Sequence, residues 1–96
     1  MRREVLVVGY DGAALTDIAG PADVFEGANR AGGGYRVRLA AVGGGFAVTG
    51  GLRMEAEDLR EVSSDVDTLL VVGGFTFADA ARDAELLRHL RRVAGG

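Results

Sequence analysis

Apolar and polar positions alternate along this chain in a way that separates strand-like, helix-like and glycine-rich stretches. Val5-Leu6-Val7-Val8 is a continuous apolar run, rich in β-branched valine and closed by Gly9. That is the pattern of a strand covered on both faces within a parallel sheet. Asp67-Thr68-Leu69-Leu70-Val71-Val72 repeats it and closes in Gly73-Gly74. Tyr35 to Val42 alternates at first and then turns apolar, a further strand. Between the first two strands Val24, Phe25, Ala28 and Ala31 recur at helical spacing and predict a sheet-facing stripe. The helix should start between Asp17 and Pro21, with the proline in the first turn, where a missing N–H costs little. Gly32-Gly33-Gly34 should end it.

The middle of the chain is shorter-grained. Phe46-Ala47-Val48 and Leu52-Arg53-Met54 flank Thr49-Gly50-Gly51 and read as a β-hairpin. Glu55 to Ser64 is polar, with Leu59 and Val62 as isolated anchors, and reads as a loop or a single helical turn. The last helix is plain: Asp83 is a good N-cap, Glu85 lies in the first turn, and Leu86, Leu87, Leu90 and Val93 share one face before Gly95. The order strand, helix, strand, hairpin, strand, helix predicts an α/β, flavodoxin-like parallel sheet with flanking helices and a β-hairpin insertion. Three parallel strands leave two open edges. A strand following the last helix would cover one of them, so the sheet is expected to be incomplete.

Composition narrows the reading. The chain has 96 residues, 48% hydrophobic and 26% charged, which suits one small domain. Its 16 glycines add to the entropy lost on folding, and with no cysteine neither a disulfide nor a thiolate metal site offsets that. The formal net charge is −3. A phosphate-gripping domain usually carries a basic face. Here only Arg88, Arg91 and Arg92 cluster, at a helix end where cations complement the helix dipole. Direct nucleic-acid binding is not expected. Arg2 and Arg3 precede too short an apolar run for a signal peptide or a membrane span, so a cytoplasmic protein is expected.

Asp17 leads the candidate chemistry. It stands near the carboxyl end of a parallel strand, where open α/β sheets bind ligands. It could serve as a general base or tune a nucleophile, which would require partial burial. From residue type alone, a capping role for Asp17 or Thr16 is the stronger reading. Gly73 and Gly74 allow close approach of a ligand to the backbone, and their N–H groups could face an oxyanion; an ordinary turn would look the same. Phe75 and Phe77 either narrow that pocket or cover the open sheet edge. Gly9-Tyr10-Asp11-Gly12 lacks nucleotide-fingerprint spacing, and Gly43-Gly44-Gly45 and Gly32-Gly33-Gly34 read as loops. His89 is the single histidine and reads as a solvated helix residue. No metal, cofactor or serine triad is indicated: Ser63 and Ser64 have no base near them in sequence.

Asp17-Ile18-Ala19-Gly20-Pro21 with Val24-Phe25, then Ala28-Asn29-Arg30, Tyr35-Arg36-Val37, Gly51-Leu52, and Asp67-Thr68-Leu69 with Gly73-Gly74, together resemble the ThiJ/PfpI family. That family has a class I glutamine amidotransferase-like fold. The nearest likeness is to the sensor domains of GlxA-like AraC-type transcription regulators and to isonitrile hydratases. The resemblance implies that Asp17 is the site acid and that Asp17, Gly73, Gly74 and Phe75 line a pocket for a small molecule of unknown identity. It also places a nucleophilic cysteine beyond Gly96. Residues 1–96 are therefore expected to be the N-terminal part of such a domain, non-catalytic, and completed by a homodimer partner or by a C-terminal half. The front half of a cysteine hydratase or hydrolase, and a truncated product without its own function, are the alternatives.

Overall fold

In a computed structural model, residues 2–95 are described. Four parallel strands form the sheet, in the spatial order Glu57–Asp58 (β5), Tyr35–Ala41 (β2), Arg3–Val8 (β1) and Thr68–Val71 (β6). The central β1 (Arg3–Val8) lies between β2 (Tyr35–Ala41) and β6 (Thr68–Val71). Its buried run Val5 to Val8 is at most 1% exposed, as its uninterrupted apolar character requires. β6 is different. It stands at an edge, so Thr68 and Val71 are exposed where a strand covered on both faces was expected.

The helices sit on opposite faces of the sheet. Side chains alternate along a strand, so Tyr35, Val5 and Val7 share one face, and Leu6, Val8 and Val71 the other. Helix α1 (Leu15–Arg30) covers the first face, with the Phe25 ring packed against Tyr35 at 4.8 Å between centroids and tilted by 57°. Helix α3 (Ala84–Gly95) covers the second with Leu86 and Val93, both buried. Asp83 caps α3 as expected, its Oδ1 accepting from the N–H groups of Glu85 and Leu86, each at 3.1 Å.

α1 departs from expectation at its start. It begins at Leu15, so Pro21 lies inside the helix rather than in its first turn. Neither Thr16 nor Asp17 caps it. The cap comes from Thr49, whose Oγ1 accepts from the Leu15 N–H at 2.9 Å. The proline removes the donor that would pair with the Asp17 carbonyl, at an exposed turn where water can replace it. Val24, expected on the sheet-facing stripe, is 69% exposed, and the buried contact comes from Ile18 instead. Ala31, also placed on that stripe, is the exposed C-cap. The glycine stop holds: the Gly33 N–H donates to the Ala28 carbonyl and the Gly32 N–H to that of Asn29.

The hairpin is present as β3 (Phe46–Ala47) and β4 (Arg53–Met54), antiparallel, with Gly50 at φ +77° in its turn. The polar segment holds two elements instead of one loop or turn. β5 (Glu57–Asp58) adds a fourth parallel strand beside β2, and a 3-10 turn follows over Leu59–Glu61. Leu59 and Val62 are buried anchors, as their isolation among polar residues suggested. The short helix α2 (Phe77–Ala80) joins β6 to α3 and had no counterpart in the sequence pattern.

Candidate functional site

The sheet order sets the place of the site. From β1 the chain goes to β2 on one side, and β6 joins β1 on the other. The crevice outside the carboxyl ends of β1 and β6 is therefore the switch point at which open α/β sheets take ligands. Gly9 ends β1 there and Gly73 follows the end of β6. Asp17, in the first turn of α1, reaches across: its Oδ2 accepts from the Gly73 N–H at 3.2 Å. These residues are 56 positions apart in sequence, and the fold brings them together.

The backbone around this contact is closely knitted. The Ala14 N–H donates to the Gly73 carbonyl at 2.9 Å. The Tyr10 hydroxyl donates to the Val72 carbonyl at 2.8 Å, in the buried interior. Burial, and after it the Asp17 charge, raises the Tyr10 phenol above its ordinary value. Gly74 lies against the Gly12–Ala14 backbone so tightly that a Cβ there would meet the Gly12 carbonyl oxygen at 2.7 Å. Gly12, at φ +89°, would bring a Cβ within 2.3 Å of the Thr76 hydroxyl. Beside Asp17 an open groove of about 330 Å³ runs along β6, lined by Thr16, Asp17, Pro21, Leu70, Val72 and Gly73 among others.

The structure places the candidate residues as follows. Asp17 is exposed beside the open groove, without the partial burial that a general-base role would require. The Gly73 N–H donates to the Asp17 carboxylate. Phe75 does not line the groove; it is 95% exposed in the turn after β6. Phe77 lies beside the sheet edge with Val71, Ala80, Leu86, Leu87 and Leu90, around a second, apolar groove of about 240 Å³. Among the described residues no group of His, Cys, Asp and Glu is placed to hold a metal ion. None of their helices is long and apolar enough to cross a membrane.

No family model matches the chain. An uncharacterized protein encoded in the cpoL 5′ region of Streptomyces lividans is 38% identical over 71 residues, covering 73% of this chain and 50% of that protein. Among solved structures, Drosophila melanogaster DJ-1beta superposes with a TM-score of 0.76 at 24% identity, covering 96% of this chain and 49% of that one. An AraC family transcriptional regulator from Pseudomonas putida superposes with a TM-score of 0.67 at 17% identity, covering 83% and 59%. This is the DJ-1/ThiJ/PfpI fold. The chain spans about half the length of the proteins it matches.

Within the ThiJ/PfpI fold, several residues that carried the resemblance have structural work. Asn29 pairs with both backbone groups of Tyr35, donating from Nδ2 and accepting at Oδ1, each at 2.8 Å. That clamp ties the end of α1 to the start of β2. Of the basic cluster, Arg92 donates to the carbonyls of Val62 and Leu59, at 2.6 and 2.9 Å. Arg88 lies 3.9 Å from Glu85. His89 accepts from the Arg92 Nε–H at 3.3 Å and is half-buried rather than solvated. Tyr10 and Thr49 were missed as site-building residues. Both act through backbone groups distant in sequence, and no local pattern signals that.

Proposed function

We propose that this chain is the front part of a small-molecule-sensing ThiJ/PfpI-type domain, of the kind joined to AraC-type transcription regulators, and performs no catalysis on its own. The contact between Asp17 and Gly73 at the switch point carries this reading. It puts a carboxylate acceptor beside a largely apolar groove, which suits a small ligand with one hydrogen-bond donor and an apolar body. The superposition with an AraC family regulator supports the regulatory setting. The chain has no cysteine to act as nucleophile. The competing reading, half of a cysteine hydratase or hydrolase, has less support, because the Gly73 N–H is occupied by Asp17.

The site is completed by further polypeptide along β6. Its edge is open, and apolar grooves flank it on both faces of the sheet. Side chains alternate between those faces, so a strand with apolar residues at successive positions fits both grooves at once. A C-terminal half or a second copy of the chain would supply it.

A thermal-shift screen of small amines, amides and amino acids against the wild-type chain and Asp17→Asn tests the sensing reading. Hydrogen bonds to a charged group contribute about 1.5–3 kcal/mol, so binding should weaken about tenfold or more in the variant. Hits that bind both proteins equally would remove Asp17 from the site.

A further inference from the structure

The Val72–Gly73 peptide group is held at both ends. Its carbonyl accepts from the Tyr10 hydroxyl at 2.8 Å, and its N–H donates to the Asp17 carboxylate at 3.2 Å. We propose that Tyr10 is a positioning residue for Asp17, acting through this single peptide. The phenol orients the peptide plane and polarises it, so that the N–H is aimed at the carboxylate and strengthened as a donor. Chains of hydrogen bonds polarise one another in this way; here the Tyr10 bond is buried and the Asp17 bond lies at the solvent-exposed end.

Tyr10 is suited to the task. It is 9% exposed, and its hydroxyl bond lies in the interior. It follows β1 directly after Gly9, so the rigid central strand sets its place. The plane it fixes is further restrained by neighbours. The Val72 N–H donates to the Val8 carbonyl at 3.2 Å, and the Gly73 carbonyl accepts from Ala14 at 2.9 Å. A Cβ at position 73 would lie 2.8 Å from the Asp17 Oδ2, so a side chain there would push the carboxylate from its present place. Tyr10, the strand end and the first turn of α1 thus form one relay. The functional meaning of this relay rests on Asp17 being the site acid; its existence does not.

The test is NMR of the Gly73 amide proton across the ionisation of Asp17. In the wild-type chain the proton should move downfield as the carboxylate forms, and Asp17→Asn should abolish that step. Tyr10→Phe removes only the hydroxyl and should shrink the step while amides remote from the Asp17–Gly73 contact keep their wild-type shifts; a general loss of packing would move those remote amides as well. If Tyr10→Phe does not fold, a fluorinated tyrosine at position 10, a stronger donor, should enlarge the step. A step of unchanged size in Tyr10→Phe, or in the fluorinated protein, overturns the proposal. Failure of the sensing reading would appear elsewhere, as ligand binding indifferent to Asp17→Asn with the Gly73 step intact.

Discussion

A methyl group at position 9 would lie 2.2 Å from the Cζ of Phe46, a ring only 2% exposed. Gly9→Ala is therefore an overpacking change at the end of the central strand, expected to cost about 1–3 kcal/mol in urea denaturation. Asp83→Ala strips the cap from α3 and should cost about 1 kcal/mol, read the same way. Charge acts at this scale too. The Arg38 guanidinium donates to both oxygens of Glu57, at 2.9 and 2.7 Å, and holds that carboxyl below its ordinary value of 4.5. Arg60 holds the Asp58 carboxyl well below the usual range in the same manner. A carboxyl lowered in the folded state stabilises fully above its unfolded value and loses that contribution as pH falls through the folded one. The thermal midpoint should thus decline as the solution is acidified below about pH 4.5, and Arg38→Gln should flatten part of that decline. Glu57 is half-exposed, so the effect is small and should shrink further in salt.

Among the elements, the polar segment from 55 to 64 shows most clearly how packing overrides pattern. Glu57 and Asp58 have no apolar alternation, yet they pair with Ala40 and Ala41 to make β5. Backbone hydrogen bonding to an existing strand edge needs no side-chain signal, so the strand was not legible. Leu59 and Val62 were legible, because an apolar residue isolated in a polar run has to be buried somewhere. What fixes them is Arg92 from α3, which bonds both of their carbonyls. Arg92→Met keeps the aliphatic stem and removes those donors. It should cost about 1–3 kcal/mol and raise hydrogen exchange selectively over residues 57–62. The start of α1 was hidden for a related reason. Its cap is Thr49, 34 residues along the chain, whose role exists only once the hairpin folds back onto the helix.

At the scale of the molecule, the open edge of β6 governs behaviour. Val71 is 43% exposed and Phe77 53%, on an edge with unpaired backbone and an apolar groove to either side. Such an edge pairs with whatever strand is offered. The unfolding midpoint of the chain should therefore rise with protein concentration. Val71→Lys should remove that dependence while preserving the circular dichroism spectrum; a midpoint independent of concentration in the wild type would show that the edge stays unpaired between copies. The parallel sheet, its two major helices, the hairpin and the α3 cap were all readable from periodicity and from glycine, proline and aspartate signals. Those signals are local, and so they survive without the fold. The resemblance to ThiJ/PfpI proteins singled out Asp17 and Gly73 in the same linear way. Their meeting, the Tyr10 hold on the peptide between them, the exposure of Phe75 and the edge position of β6 were settled by tertiary structure alone. Each depends on which strand lies beside which, and hydrophobic pattern, being the same for any buried strand, carries no record of its neighbours.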